Sequence, residues 1–238
     1  MKRHWKKIVS AVVVLIALGV GASWFYAKVY HKAPASLAPT DLTAALDASV
    51  PVGSGGTTAP ATSSDDVSGA WQAVSTSILR YRVNENINGF DKTAVGETHD
   101  ITGTLTIDGK AVTKGDFTVD MTTVRSDESR RDNQFSGRIM DVAKFPTATF
   151  KITSPIQFGS VPAEGKIVST TATGDLTLHG ATKSVTFDLQ ALRKNGKIGI
   201  IGSIPVLFAD YSIPNPSFAT VSTDDHGVLE FIVVFVRS

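Results

Sequence analysis

The side chains that most often do chemistry are scattered in this chain. Its five histidines, His4, His31, His99, His179 and His226, show none of the tight spacings that bind zinc. There is no cysteine to serve as nucleophile, thiolate ligand, disulfide partner or acylation site. No G-x-S-x-G elbow, P-loop or Rossmann glycine pattern occurs, and the acids lie too far from the histidines in sequence to define a triad. Neither a catalytic residue nor a metal site is expected.

What the chain does carry is apolar chemistry. Residues 173–189, TGDLTLHGATKSVTFDL, alternate apolar and polar residues and break once at His179 and Gly180. Two strands joined there put Leu176 and Leu178, then Val185, Phe187 and Leu189, on the inner face of a curved sheet. A strand at 115–124 gives Phe117, Val119 and Met121 a common face, and Phe150 and Ile152 continue it. The set Phe117, Val119, Met121, Phe150, Ile152, Leu176, Leu178, Phe187 and Leu189 is suited to the dry lining of a site for an amphiphile, which also needs a few polar groups at one end. A packed barrel core reads the same way, and both readings are open. Arg131 and Asp132 could meet a head group, or form a surface ion pair or helix cap. Phe135 and Phe145 could cover a mouth; alternatively Phe145-Pro146 fixes the chain's entry to the next strand.

The elements that must position these residues are strands. Eight are expected, at 71–83, 94–107, 115–124, 147–153, 166–178, 184–193, 197–208 and 228–236, with no long helical period between them. Asp108-Gly109 and Asn195-Gly196 are type I′ turn dipeptides, which pairs the second strand with the third and the sixth with the seventh. The pattern T-G-x-L-T-aliphatic-x-G occurs at 102–109 and again at 173–180, suggesting equivalent strand-turn units in one closed or nearly closed sheet. The last strand, VLEFIVVFV, is apolar on both faces, as expected where something covers its outside or it closes the sheet. The fold class is therefore all-β, an eight-stranded antiparallel barrel able to hold one elongated ligand. A short helix at 126–133, with Ser126 as N-cap and Asp127 four residues from Arg131, and an apolar loop at 135–146 interrupt the meander as a lid or a plug.

Composition adds the setting. The 238 residues carry a formal net charge of +1, which suggests no nucleic-acid partner. Lys2, Arg3, Lys6, Lys7, Lys28 and Lys32 all precede the first acid, and residues 8–26, IVSAVVVLIALGVGASWFY, hold no charge. A helix of that length spans about 28 Å, one membrane crossing with a cytoplasmic N-terminus and an extracytoplasmic barrel. A cleaved signal peptide, leaving a secreted domain, is the competing reading. The domain plan is a basic tail and signal-anchor at 1–30, a flexible linker at 31–69 rich in Ala, Pro, Ser, Thr and Gly, and a barrel at 70–238. Within the linker a helical turn or two at 41–48 is weighed against a disordered stalk, and the stalk is preferred.

Residues 130–152, RRDNQFSGRIMDVAKFPTATFKI, followed by 173–189, resemble the YceI-like family of exported polyisoprenoid-binding proteins. The most specific parts are Arg131-Asp132, Lys144-Phe145-Pro146-x-Ala148-x-Phe150, and Gly174-Asp175-Leu176-Thr177 with His179-Gly180 and Thr182-Lys183. Gln134-Phe135 and Arg138-Ile139-Met140 stand where many members carry a His-Leu pair and an acidic-aromatic pair. The resemblance covers residue 71 to the C-terminus. It implies a lipocalin-like extended barrel, without enzymatic activity, whose interior holds the chain of an isoprenoid or similar lipid of polyprenyl or quinone type. No other cofactor is implied, and a homodimer is left open. A cell-surface interaction or structural domain with a filled core is the alternative.

Overall fold

The structure is a computed structural model that describes residues 33–48 and 66–238. The apolar run at 8–26 lies outside the described residues; among those described, no helix is long and apolar enough to cross a membrane. The fold is carried by the unit Ala35–Ser238.

Thirteen strands join in one antiparallel sheet. They are β1 (Gly69–Ala73), β2 (Ile78–Ile87), β3 (Phe90–Thr98), β4 (Ile101–Asp108), β5 (Ala111–Asp120), β6 (Arg125–Ser126), β7 (Thr147–Ile152), β8 (Ile156–Gln157), β9 (Ile167–Leu178), β10 (Ala181–Lys194), β11 (Lys197–Leu207), β12 (Val221–Thr223) and β13 (His226–Arg237). Eight close a ring in the order β1-β4-β5-β7-β9-β10-β11-β13, and β13 returns to β1 through Trp71 opposite Arg237. The last strand does close the sheet.

The eight expected strands survive with two of them broken. The first is β1 and β2, separated where Ser77 Oγ accepts the Val234 N–H and the Val74 N–H donates to the Val234 carbonyl. The second is β3 and β4, separated at His99 and Asp100. The lower halves, β1 and β4, pair within the ring, while the upper halves, β2 and β3, extend the wall beyond it along the first half of β13. The β2–β3 hairpin turns on Asn88 and Gly89, both at positive φ, an Asn-Gly signal that the sequence reading passed over by ending its strand at 83.

Two turns match their dipeptides and one does not. Asn195-Gly196 and His179-Gly180 have positive φ at both central residues, the type I′ pattern. Asp108, however, pairs with Ala111, so that loop is Gly109-Lys110 with positive φ at Gly109 alone. That is the type II′ pattern, in which glycine takes the first central place and Asp108 stays in the strand.

The linker reading needs correction at 39–47. Helix α1 (Pro39–Asp47) lies on the outside of the barrel with Leu42 and Leu46 fully buried against Leu192, Ile201, Ile232 and Val234. Proline at the first helical position and Asp41 Oδ2 accepting the Ala38 N–H start it. Lys197 Nζ donates to the Leu46 and Ala48 carbonyls and Lys194 pairs with Asp47, placing cations at its carbonyl end. Full burial of each leucine contributes about 1.5–3 kcal/mol, enough to hold a nine-residue helix that would be marginal alone. This helix is what makes β13 apolar on its outer face.

The insertion differs in its cap. Helix α2 (Ser129–Gln134) starts from Glu128, whose carboxylate accepts the Arg130 N–H. Ser126 instead belongs to β6. A π turn at Phe135–Ile139 and a loop to Pro146 then lead into β7.

Candidate functional site

The inner face of the ring is apolar from end to end, but it is not uniformly open. Phe117, Phe150, Phe187 and Phe231 form a chain of ring contacts across the middle, with centroids 6.4, 5.5 and 5.7 Å apart, and Phe235 closes on Phe117 at 5.9 Å. Around them lies an inner cavity of about 100 Å³ with no charged side chain in its wall. A smaller cavity of about 40 Å³, whose wall also includes Lys110 and Arg193, shares Leu105, Val112, Phe158 and Ile200 with it.

Toward the β2–β3 end the interior widens into a chamber of about 450 Å³. Leu79 and Leu229 border both this chamber and the inner cavity, so they form the neck between them. Above the neck the wall is Tyr81, Val83, Met121, Leu178, Val206 and Phe208, with Phe135, Ile139 and Met140 contributed by the insertion.

Of the nine lining residues read from sequence, Phe117, Val119, Phe150, Ile152, Leu176, Phe187 and Leu189 border the inner cavity. Met121 and Leu178 border the outer chamber. The sequence reading missed Leu79, Ile101, Leu105, Ile204, Leu229, Phe231 and Val233. For β13 the signal was ambiguous, because Leu229, Phe231 and Val233 alternate with Ile232 and Val234, which face α1. Broken strands hid Leu79 and Ile101 at their ends.

The mouth residues separate. Arg131 borders the outer chamber, pairs with Asp127 one turn away, and lies 3.5 Å from Glu85 of β2. Phe135 also borders it and stacks on Tyr81 with centroids 5.1 Å apart and rings 8° from parallel. Tyr81 fits there because β3 carries Gly96 against its ring. Burial pushes the Tyr81 phenol well above its ordinary range, so it is neutral at physiological pH.

Asp132 is not part of the mouth. Its Oδ1 accepts from both the backbone N–H and the hydroxyl of Ser126, at 2.8 and 2.6 Å, tying α2 to β6. Phe145 is not part of it either. Its ring lies edge-on to His179, 4.6 Å away, and fills the space beside Gly180, where a Cβ would fall 2.5 Å from its Cε1. His179 reaches the Tyr211 carbonyl through Nδ1 at 3.2 Å and is a turn residue. Among the described residues no group of three or more His, Asp or Glu is placed to hold a metal ion.

The fold is an all-β, closed eight-stranded antiparallel barrel with an apolar interior that widens at one end under a short, polar-rimmed insertion. The chain belongs to the YceI-like domain family, whose model matches residues 72–235. It is similar to a UPF0312 protein of Vibrio parahaemolyticus, 31% identical over 128 residues that cover 50% of this chain and 64% of that one. It is also similar to Protein YceI of Escherichia coli, 36% identical over 100 residues covering 41% and 48%. The chain thus spans less than two thirds of the length of these curated relatives. Among solved structures, a polyisoprenoid binding domain from Saccharophagus degradans shares the fold, with TM-score 0.58 at 15% identity over 71% of this chain and 98% of that domain. Burkholderia cenocepacia BcnA aligns with TM-score 0.50 at 18% identity over 65% and 95%.

Proposed function

We propose that this barrel is an extracytoplasmic binding protein, tethered to the cell membrane through residues 8–26, that holds the apolar chain of an isoprenoid or similar amphiphilic lipid. The observation that carries the reading is the outer chamber of about 450 Å³, with an uncharged inner cavity behind Leu79 and Leu229. Its volume is in the range of small-molecule sites, about 300–1,000 Å³. Arg131, Arg130 and Glu128 at its border supply the polar end such a lipid needs. The name of the Saccharophagus domain, which specifies a polyisoprenoid, supports the same class of ligand.

The inner cavity, at about 100 Å³, is smaller than the roughly 150 Å³ cavity that takes up benzene. The chain of the ligand therefore rests mainly above the neck, and the phenylalanine rings below it must move to admit more. Those rings are also what a filled core would contain, which favours the structural-domain alternative for the lower half of the barrel alone.

Native mass spectrometry of the full chain, taken from membranes in a mild detergent and followed by organic extraction, tests the proposal. A stoichiometric added mass that extracts as an isoprenoid is expected. A bare polypeptide mass that stays bare after incubation with quinones and polyprenols would overturn it.

A further inference from the structure

The rim of the outer chamber carries an apolar row that lining the chamber does not explain. β12 pairs with β2 so that Val221 faces Ile87, and β2 pairs with β3 so that Ile87 faces Phe90. A tight turn through Ala219 and Thr220 sets Phe218 opposite Val221, with both backbone hydrogen bonds at 2.9 Å. Directly opposed residues of antiparallel segments project to the same face. Phe218, Val221, Ile87 and Phe90 therefore stand side by side. Phe218, Val221 and Ile87 border the chamber. The two ends stand in water, Phe218 69% exposed and Phe90 55%, the most exposed large apolar side chains among the described residues.

Two arginines whose guanidinium groups have no carboxylate partner among the described residues stand at the same end of the barrel. Arg130 borders the same chamber, and among the described residues its guanidinium has no carboxylate partner. Arg138 reaches across to the Pro216 carbonyl at 3.0 Å and to Gln134 Oε1 at 3.1 Å, again without an acid. Of the nearby acids, Glu85 pairs with Arg131 and Asp225 with His226, while Glu128 accepts the Arg130 N–H, Asp91 accepts from the Asn86 amide, and the Asp224 carboxylate has no hydrogen-bond or ion-pair partner among the described residues.

At the spacing of neighbouring strands the row is only about 15 Å long. Two phenylalanines bury about 150–250 Å² each, short of the roughly 800 Å² per partner of a stable protein interface. Exposed aromatic rings beside unpaired arginines suit a lipid interface instead, where rings sit at headgroup level and cations meet anionic lipid. We propose that this row docks the chamber's rim onto the surface of an anionic lipid bilayer. The docking stands on this geometry alone. That an apolar chain then passes between bilayer and chamber without crossing water rests on the lipid-holding reading.

The absence of cysteine makes site-specific labelling clean. The full chain carrying Phe218→Cys, Phe90→Cys or, at the opposite end of the barrel, Ser160→Cys is labelled with nitrobenzoxadiazole. Each is reconstituted in vesicles of phosphatidylcholine and phosphatidylglycerol that contain headgroup-level spin-labelled lipid. The two rim labels are expected to shift to the blue and lose most of their fluorescence, and the label at 160 to behave as in water. Rim labels no better quenched than the one at 160 would overturn the proposal. Arg130→Glu with Arg138→Glu, or vesicles of phosphatidylcholine alone, are expected to restore the rim fluorescence; quenching that survives both overturns the anionic assignment. Shielding without vesicles that grows with protein concentration would assign the row to a second copy and overturn lipid docking. Lipid extracted from the unsubstituted chain reads the chamber separately, so failure of one reading is distinguishable from failure of the other.

Discussion

Gly174 of β9 lies directly against the ring of Phe150 on β7, and a Cβ at this position would fall 2.7 Å from Phe150 Cε2. Gly103 of β4 bears the same relation to Phe117 on β5, with 2.5 Å to Cδ1. The repeated T-G-x-L-T pattern is thus a packing device, in which each glycine leaves room for the neighbouring strand's phenylalanine. Gly174→Ala is expected to press on both the Phe150 ring and the Lys151 carbonyl and to cost about 1–3 kcal/mol, the usual cost of overpacking. Chemical denaturation reads the loss, and adding Phe150→Leu should recover part of it, because the two sites share one contact. Additive losses would show that the ring and the glycine do not compete for space.

The neck predicts a change of selectivity. Leu79→Ala with Leu229→Ala should merge the outer chamber with the inner cavity, at a cost of about 2–3 kcal/mol per site, the low end for leucine truncation. Offered a mixture of polyprenols of graded length, the double variant should retain longer chains than the natural protein, as read by native mass spectrometry. An unchanged length distribution would remove Leu79 and Leu229 from the role of gauge.

Helix α1 is expected to act as a clamp whose loss leaves the ring intact. Leu46→Ala should cost about 2–4 kcal/mol of local stability. Gly199→Val should lift the helix, because a Cβ at 199 would lie 2.6 Å from Leu42 Cδ1. Hydrogen exchange should then rise in residues 39–47, while amides of β5, β7 and β9 stay protected. Uniform deprotection of the barrel would mean the helix is part of the core rather than a cover.

Two buried phenols make the fold sensitive to high pH. Burial raises both Tyr81 and Tyr211 above their ordinary range. In the unfolded chain they ionise from about pH 10, so their contribution is complete below that pH and is lost as pH rises beyond it. Tyrosinate absorbance from these two residues should therefore appear together with loss of the barrel's circular dichroism. Tyr81→Phe with Tyr211→Phe should abolish that late component. A titration in which it appears while the barrel is still folded would sink the idea.

Much of this protein is legible in local pattern. Alternation at Phe117, Val119 and Met121, or at Leu176 and Leu178, decides which side of a strand each residue occupies, because the side-chain period of a strand is two. The type I′ turn at Asn195-Gly196 follows from two residue types that tolerate positive φ, while the Asp127–Arg131 pair forms from just ahead of the helix cap and not from within the helix. What local pattern could not decide was anything that depends on distant segments meeting. Asp132 turned from the mouth to Ser126, and Phe145 went to the 179–180 turn, because each found a partner that spacing does not reveal. Leu42 and Leu46 looked like stalk residues until the outer face of β11 and β13 offered an apolar seat. The division of the interior into a wide outer chamber and a cavity crowded by phenylalanine rings was likewise settled only by the tertiary structure. An inward-facing residue is assigned by periodicity, but the space left between eight inward faces depends on register, on glycines that admit neighbouring rings, and on how those rings pack together.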